Sequence, residues 1–224
     1  MEIEHAVILA AGRGARMMPL TDELPKPMAP FGDSTLIADG IAKVRKHISN
    51  LHITVGYKGA MLAPHLIELG VGTIVNTEGK SNTWWIYHSL LSQLAEPLFV
   101  LTCDNITDID FASLDRDYAA QGSPACMVVP VTPVPGLDGD YIFHDGNIVI
   151  ELNRNKPAPT YCSGIQVLNP QKIQNLAPNE GDFTKVWAQL IAKRQLFVSS
   201  VHPSKWFSVD TVADLKRYGT TMGK

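Results

Sequence analysis

The chain has 224 residues, of which 45% are hydrophobic and 18% are charged, a composition typical of a globular protein with a sizeable core. Its formal net charge of −3 argues against a nucleic-acid-binding surface, because phosphate backbones need a concentrated basic face. Three widely spaced cysteines argue against a disulfide framework and favour a reducing compartment. No stretch approaches the 18 apolar residues of a membrane span, so we expect a cytoplasmic protein with no membrane partner.

The first half of the chain alternates short apolar runs with segments of helical spacing. The runs predict strands at residues 6–9, 52–55, 71–75 and 98–101, and the segments predict helices at residues 36–48, 59–69 and 83–94. This alternation is typical of an α/β fold with a Rossmann-like, mainly parallel sheet sandwiched by helices. Ligands in such folds bind at the carboxyl ends of the strands, so we expect the functional residues directly after strands.

The second half of the chain is richer in predicted strands. The pattern predicts strands at residues 127–131 and 165–168, and helices at residues 183–193 and 211–218. Two apolar runs around Asp145-Gly146-Asn147 predict a hairpin. We therefore predict a single domain over residues 1–224, with a small β-rich elaboration of the sheet in its second half.

The first predicted strand leads into a glycine-rich loop, Leu9-Ala10-Ala11-Gly12-Arg13-Gly14-Ala15-Arg16. Small residues let the backbone approach a ligand closely, and free N–H groups bind oxyanions. The two arginines add side chains that can fork onto phosphate. By itself, the loop fits either a phosphate site or a glycine turn with surface arginines.

Two common phosphate motifs fail at single positions. A dinucleotide-binding loop needs a third glycine where Met17 stands, which weakens an NAD-dependent oxidoreductase as an interpretation. A Walker A motif that ends at Gly79-Lys80-Ser81 needs a glycine where Ile74 stands. Further along, two prolines flank Lys26 and would hold this lysine on a rigid backbone.

The loop residues 9–17, followed by Pro19-Leu20-Thr21 and Pro25-Lys26-Pro27, resemble the signature of the sugar-phosphate nucleotidyltransferases, which have a glycosyltransferase-A-like fold. The resemblance implies transfer of a nucleoside monophosphate from an NTP to a phosphorylated small acceptor, first of all a sugar 1-phosphate. The products would be an NDP-sugar and pyrophosphate. It also implies that Arg13 and Lys26 are catalytic, and that the nucleotide contacts a set of loop residues. These are Leu9, Ala10, Ala11, Gly12, Arg13 and Gly14, and by the same resemblance Lys26 contacts the nucleotide as well.

Two aspartates are the predicted metal ligands. Asp104 follows the fourth predicted strand, and Asp210 precedes the last predicted helix. Taken alone, the first could be a turn former and the second a helix N-cap. The resemblance implies that both bind Mg²⁺, that Asp104 also contacts the nucleotide, and that Asn105 contacts the acceptor. Two carboxylates, phosphate oxygens and water would complete an octahedral site.

The part of the family pattern that concerns acceptor binding lies between residues 153 and 168. It implies a catalytic Lys156 on the acceptor phosphate and Gly164 against the acceptor ring. Asn155 stands where the family has a glutamate. A weaker match to an acidic segment of the acceptor pocket covers residues 180–184.

The segment Ser81–Leu90 departs from the sugar-activating members and is similar to the phosphocholine cytidylyltransferase branch. The resemblance implies that Asn82 contacts the nucleotide and that Trp84, Trp85 and Tyr87 contact the acceptor. Aromatic rings of this kind can cage a quaternary ammonium group. They can equally pack in a core, because tryptophan is highly buried on average.

Three functions therefore remain open. The first is an Mg²⁺-dependent nucleotidyltransferase for a sugar 1-phosphate, and the second is a CTP:phosphocholine or other phospho-alcohol cytidylyltransferase. The third is a nucleotide-sensing subunit that keeps the fold without the chemistry. The partners expected are an NTP and a phosphorylated small molecule, with a homo-oligomer left open and the nucleobase unspecified.

Overall fold

The computed structural model describes residues 2–134 and 139–219. This part of the chain divides into two compact units. The amino-terminal unit contains residues 4–80, 101–106 and 207–219, and the central unit contains residues 2–3, 81–100, 107–134 and 139–206. Two late segments therefore complete the amino-terminal unit, and each of them carries one of the predicted metal-binding aspartates.

A three-stranded parallel arrangement forms the centre of the amino-terminal unit. Its strands and helices up to residue 80 are β1 (His5–Ala10), α1 (Leu20–Glu23), β2 (Pro30–Phe31), β3 (Ser34–Thr35), α2 (Leu36–Val44), β4 (Asn50–Val55), α3 (Gly59–Glu68) and β5 (Thr73–Asn76). β4 pairs in parallel with β1 on one side and with β5 on the other. The carboxyl ends of these strands consequently lie at the same edge.

Local sequence explains the helix that covers these strands. Thr35 caps α2, because its hydroxyl accepts a hydrogen bond from the Ala38 N–H. The apolar residues of α2 recur at helical spacing, and Leu36, Ile37 and Ile41 are buried. The apolar face of α2 therefore packs into the core of the unit.

The central unit contains most of the remaining elements. They are α4 (Trp84–His88), β6 (Leu98–Thr102), β7 (Asn105–Asp108), α5 (Phe111–Ala120), β8 (Cys126–Val131), β9 (Tyr141–Asp145), β10 (Ile148–Asn153), β11 (Tyr161–Leu168), α6 (Pro170–Leu176), α7 (Phe183–Ala192) and β12 (Leu196–Val198). Of these, β6 and β7 are divided between the units, because residues 101–106 belong to the amino-terminal unit. The strands follow the order β6-β11-β8-β12-β10-β9. β11 is antiparallel to β6 and β8, whereas β12 is parallel to β8. This is the β-rich part that the sequence predicts.

The chain returns to the amino-terminal unit through its last two elements, β13 (Lys205–Ser208) and α8 (Val212–Gly219). β13 pairs with β7 in a two-stranded sheet. Phe31, Leu36, Ile106 and Val209 form a buried apolar cluster, against which side chains of β13 and α8 pack. This cluster anchors the end of the described chain.

The α/β class is confirmed, and the predicted strands of the first half are present as β1, β4, β5 and β6. The hairpin prediction is also confirmed: β9 and β10 are antiparallel and Gly146 has a φ of 58° in their turn. The single domain over residues 1–224 stays a prediction. Within the described residues, no helix is long and apolar enough to span a membrane.

One predicted helix is wrong in its length. The helix expected over residues 83–94 stops at His88, and a 3₁₀ turn from Leu90 to Gln93 follows. Ser89 between them is extended, with a φ of −100° and a ψ of 175°. Its hydroxyl accepts a hydrogen bond from the Leu91 N–H. The serine side chain thus competes with the helical hydrogen-bond pattern and caps the next turn instead.

Candidate active site

The glycine loop leaves β1 at the carboxyl edge of the parallel strands. Gly12 and Arg13 are exposed, and no atom lies within 4 Å of the position that a Cβ on Gly12 would take. Gly14 has a φ of 67°, which glycine adopts without the steric cost that other residues have. Its carbonyl accepts hydrogen bonds from the Met17 N–H at 2.9 Å and the Thr21 hydroxyl at 3.1 Å. The loop is therefore open at Gly12 and folded back on itself at Gly14.

Lys26 lies beneath this loop. Pro25 is extended and a 3₁₀ turn covers Lys26 to Met28, so the two flanking prolines restrict the backbone as the sequence predicts. The stem of Lys26 packs against Gly14: a Cβ at that glycine would lie 2.8 Å from the Lys26 Cβ. Lys26 is only 7% exposed. Packing thus fixes the direction in which the ammonium group points.

The ammonium group of Lys26 meets both predicted metal ligands. Lys26 Nζ lies 2.7 Å from Asp104 Oδ2 and 3.2 Å from Asp210 Oδ1. Arg16 Nη2 lies 2.9 Å from the same Asp210 oxygen. We call these four residues, Arg16, Lys26, Asp104 and Asp210, the carboxylate cluster. Residues separated by up to 194 positions in the sequence are brought together in one unit.

Backbone hydrogen bonds align the segments that carry the two aspartates. The Cys103 N–H donates to the Leu9 carbonyl over 3.1 Å, and the Val209 N–H donates to the Asp104 carbonyl over 2.9 Å. Leu9 and Ala10 end β1, and Asn105 begins β7. The end of β1 is thereby connected to Asp104, and Asp104 to the residue before Asp210.

The electrostatics of the carboxylate cluster keep Lys26 charged. Burial would lower the pKa of Lys26, but the carboxylates of Asp104 and Asp210 outweigh it, so the pKa is raised above the usual 10.5. Burial raises the pKa of the neighbouring Cys103 thiol, and the Asp104 carboxylate adds to this effect. At neutral pH the site therefore presents an ammonium beside a neutral thiol.

Asp210 does not cap the last helix. The Thr211 hydroxyl accepts from the Asp214 N–H, while the Asp214 carboxylate accepts from the backbone N–H groups of Asp210 and Thr211. This reciprocal arrangement satisfies the helix start without the Asp210 side chain. The Asp210 carboxylate is left to accept from Lys26, Arg16 and the Ser208 hydroxyl.

The carboxylates suit a hard divalent cation. Asp104 and Asp210 each direct a carboxylate oxygen at the Lys26 ammonium, and carboxylate oxygens are the donors that Mg²⁺ prefers. Among the described residues there is no group of three or more His, Cys, Asp or Glu side chains that could hold a metal. The two aspartates would therefore need further oxygens from a bound ligand or from water. A cation there would share its carboxylates with Lys26.

The two loop arginines have different partners. Arg16 is paired with Asp210 and so belongs to the carboxylate cluster. The Arg13 side chain is 63% exposed, and its guanidinium lies 4.0 Å from the Asp22 carboxylate and 5.6 Å from the centre of the Tyr57 ring. The sequence-based assignment of a phosphate role to Arg13 stays a prediction. The resemblance gave no role to Arg16, although its guanidinium, like that of Arg13, can fork onto phosphate.

The aromatic segment lies in the central unit, and its three rings differ in environment. Trp85 is 0% exposed and donates from Nε1 to the Asn82 carbonyl over 3.0 Å. The Tyr87 hydroxyl donates to the Ala177 carbonyl, and burial raises the pKa of Tyr87 to about 12. Trp84 is half-buried beside the His88 ring. Core packing accounts for Trp85, whereas acceptor contacts by Trp84 and Tyr87 stay predictions.

The amide side chain of Asn82 makes a structural contact. Its Oδ1 accepts from the Phe183 N–H over 3.0 Å, and the nearby Ser81 hydroxyl donates to Glu180 Oε1 over 2.9 Å. Residues 81–88 and 180–183 are therefore neighbours in the structure, although they are far apart in the sequence. A nucleotide contact by Asn82 stays a prediction.

Lys156 and Gly164 also belong to the central unit. Lys156 is exposed, with Nζ 3.6 Å from Glu151 Oε2 and 4.4 Å from the centre of the Phe143 ring. Gly164 has a φ of 82° where the register of β11 against β8 shifts between Cys162 and Gln166. A positive φ at this irregularity of the pairing favours glycine. The acceptor roles of both residues stay predictions.

Sequence comparisons find related proteins along almost the whole chain. The profile of the family described as nucleotidyl transferase matches residues 5–218. The mannose-1-phosphate guanyltransferase of Schizosaccharomyces pombe is 26% identical over 206 residues, which are 85% of this chain and 57% of that protein. A probable mannose-1-phosphate guanylyltransferase 1 of Oryza sativa is 24% identical, covering 98% of this chain and 66% of that protein. The chain thus spans between half and two thirds of the length of these relatives.

Solved structures share the fold. The inositol-1-phosphate CTP transferase from T. maritima aligns with a TM-score of 0.79 at 16% identity, over 100% of this chain and 96% of that one. A putative glucose-1-phosphate thymidylyltransferase from Bacillus anthracis aligns with a TM-score of 0.78 at 18% identity, over 98% and 95%.

Proposed function

The chain belongs to the nucleotidyl transferase family, and on this premise we propose that it transfers a nucleoside monophosphate from an NTP to a sugar 1-phosphate. The observation that carries the proposal is the carboxylate cluster, in which two cations and two carboxylates meet under an open glycine loop. The names of two relatives make GTP with mannose 1-phosphate the first pair to test.

The proposed reaction is one in-line displacement. An oxygen of the acceptor phosphate attacks the α-phosphorus of the NTP, a new oxygen–phosphorus bond forms, and the bond to the β-phosphate bridging oxygen breaks. Pyrophosphate leaves with the electron pair of that bond. Because the acceptor phosphate is already ionised at neutral pH, no side chain has to remove a proton. Positioning and neutralisation of charge supply the rate.

Lys26 and Arg16 are the groups suited to this neutralisation. Lys26 stays protonated because its pKa is raised, and the burial of its stem restricts the movement of the ammonium group. Arg16 is more exposed, with 58% of its side chain accessible, so its guanidinium can turn from Asp210 to a phosphate. When an NTP binds, its phosphate oxygens would replace carboxylate oxygens as partners of Lys26 and Arg16.

In the proposal Asp104 and Asp210 hold a divalent cation, with Mg²⁺ expected. When bound, the ion would neutralise charge on the phosphate oxygens. The two aspartates would then share their oxygens between the ion and Lys26, whose ammonium would supply a second positive charge beside the phosphates. The resemblance assigns the acceptor phosphate to Lys156, whose side chain is 61% exposed and can therefore turn to a ligand.

Two other functions are less well supported. A choline cage of Trp84, Trp85 and Tyr87 would need Trp85 at the surface, yet this side chain is 0% exposed. A sensing subunit without chemistry has no observation of its own in its favour, whereas the carboxylate cluster has the cations and carboxylates that the proposed transfer would use. Both functions remain outcomes of the experiment below.

The experiment is a pyrophosphate-release assay with Mg²⁺. Each NTP is tested against mannose 1-phosphate, glucose 1-phosphate, inositol 1-phosphate and phosphocholine. We expect turnover with at least one sugar 1-phosphate and one preferred NTP. Turnover with CTP and phosphocholine alone would mean that the acceptor is a phospho-alcohol and not a sugar phosphate. Tight NTP binding without turnover on any acceptor would favour the sensing subunit.

A matched pair of variants connects the activity to the carboxylate cluster. Lys26→Met keeps the apolar stem that packs against Gly14 and removes only the charge. Lys43→Met removes a half-buried lysine of α2 that pairs with Asp39. We expect Lys26→Met to lower kcat by about 100- to 1000-fold and Lys43→Met to leave it unchanged. Equal activity of the two variants would contradict the role of Lys26.

A further inference from the structure

The turn after β4 makes close contacts with the glycine loop. Gly56 ends the buried part of this turn, and a Cβ on it would lie 2.7 Å from the Ala11 carbonyl oxygen. The next residue, Tyr57, donates its N–H to the same carbonyl over 3.0 Å. Ala11, the first residue of the loop after β1, is thus held in place by the turn that follows β4.

The side chain of Tyr57 holds the other end of the loop. Its hydroxyl donates to the Thr21 carbonyl over 2.9 Å. Thr21 in turn donates its hydroxyl to the Gly14 carbonyl in the middle of the loop. A single residue therefore bonds to both Ala11 and Thr21, which lie on either side of the predicted phosphate-binding glycines.

The Tyr57 ring also meets the loop. Its centre lies 5.6 Å from the Arg13 guanidinium carbon and 5.7 Å from Lys58 Nζ. A cation within about 6 Å of an aromatic face is attracted to it. The Lys58 ammonium also donates to the Asp22 carbonyl, one residue beyond Thr21. The ring, the hydroxyl and the N–H of Tyr57 all act on the loop from residue 11 to residue 22.

From these contacts we infer that Tyr57 is a positioning residue for the nucleotide, an inference that rests on the proposed function. The contacts described above are made to the loop and to Lys58, and none of them involves the carboxylate cluster. It holds the glycine loop in the conformation that exposes Gly12, so the loop does not have to be ordered when an NTP binds. If the competent conformation is less populated, the apparent NTP affinity falls by the same factor while the chemical step is unaffected.

Two substitutions separate the hydroxyl from the ring. Tyr57→Phe keeps the ring and the backbone N–H and loses only the bond to Thr21. Loss of one such bond predicts that KM and Kd for the NTP rise about three- to tenfold, with kcat and the KM for the acceptor within about twofold of wild type. Tyr57→Ala also removes the ring beside Arg13 and should weaken NTP binding a further two- to fivefold or so.

Tyr118→Phe is the matched control. The Tyr118 hydroxyl donates to the Pro124 carbonyl over 2.7 Å in the central unit, so this variant also loses one bond between a phenol and a backbone carbonyl. We expect it to lower thermal stability without changing NTP affinity. A purely structural role for Tyr57 would make Tyr57→Phe behave as Tyr118→Phe does.

Hydrogen exchange of the nucleotide-free protein tests the loop directly, and titration with the NTP tests the consequence. Tyr57→Phe should speed exchange at the Met17 N–H, which donates to Gly14, and should raise the NTP Kd. Unchanged loop exchange overturns the inference, and so does faster exchange with an unchanged Kd. A wild-type protein that binds no NTP overturns the proposed function and the nucleotide role of Tyr57 together, a result distinct from either of these.

Discussion

Replacement of Gly14 by alanine tests how the glycine loop positions Lys26. Three glycines of the amino-terminal unit provide a graded series. Gly12 lies outside the left-handed region and has open space around its Cβ position, whereas Gly79 has a φ of 69° and equally open space. Gly14 combines a φ of 67° with a Cβ position only 2.8 Å from the Lys26 Cβ. The series therefore separates backbone strain from collision with the lysine.

The expected magnitudes follow from these geometries. Alanine in the left-handed region costs about 1 kcal/mol, so Gly79→Ala should lose about that amount of unfolding free energy. At Gly14 the same strain applies, and the lysine stem must also retreat by about 0.6 Å to reach ordinary contact near 3.4 Å. Overpacking of this kind costs about 1–3 kcal/mol. Gly14→Ala should thus lose about 3 kcal/mol, while Gly12→Ala should be neutral or slightly stabilising.

Urea unfolding and thermal melting measure these differences. For a chain of this size, 1 kcal/mol corresponds to about 2–4 °C in Tm, so Gly14→Ala should melt about 6–12 °C below wild type and Gly79→Ala about 2–4 °C below it. Gly14→Ala should also lose pyrophosphate release, because the Lys26 ammonium moves with its stem. If Gly14→Ala and Gly79→Ala were equally stable, the packing of Lys26 against the loop would be refuted.

Three further predictions test the site and its surroundings. Asp104→Asn should lower Mg²⁺-dependent pyrophosphate release by at least about 100-fold, whereas Asp33→Asn, an exposed aspartate of the same unit, should not. Burial, with a smaller effect of His5, lowers the pKa of His52 to about 4, so the unfolded chain takes up a proton at this histidine before the folded chain does as the pH falls below 6.5. Urea unfolding should therefore show that the free energy of unfolding falls by about 2 kcal/mol between pH 7 and pH 5. In His52→Gln this pH-dependent loss of unfolding free energy should be smaller. Thr211→Ala should lose about 1 kcal/mol of unfolding free energy through the helix cap, measured by the same method.

Local patterns predicted the parts of the site that are continuous in sequence. The loop from Leu9 to Gly14 follows a buried strand, and small residues with a charged neighbour are recognisable without a fold. The prolines around Lys26 likewise act on the adjacent residue alone. The open space above Gly12 and the restricted backbone of Lys26 in the structure have their causes within these few positions.

Contacts that depend on packing could not be predicted in the same way. The choice between Arg13 and Arg16 depends on which side of the loop faces Asp210, a residue almost 200 positions away. The burial of Trp85 depends on the elements packed around α4, and periodicity cannot distinguish an aromatic residue that binds a ligand from one that fills a core. Both outcomes are properties of the assembled unit and have no local signature.

Asp210 shows how one neighbouring interaction decides between two chemically sensible roles. An aspartate directly before a helix is a good N-cap, and an aspartate after a strand is a good metal ligand. The sequence Asp210-Thr211 followed three residues later by Asp214 contains two candidates for the cap. In the structure Thr211 and Asp214 satisfy the helix start between them. Because the backbone N–H groups already have acceptors, the Asp210 carboxylate gains nothing by turning to the helix, and its stronger partners are the charged groups of Arg16 and Lys26.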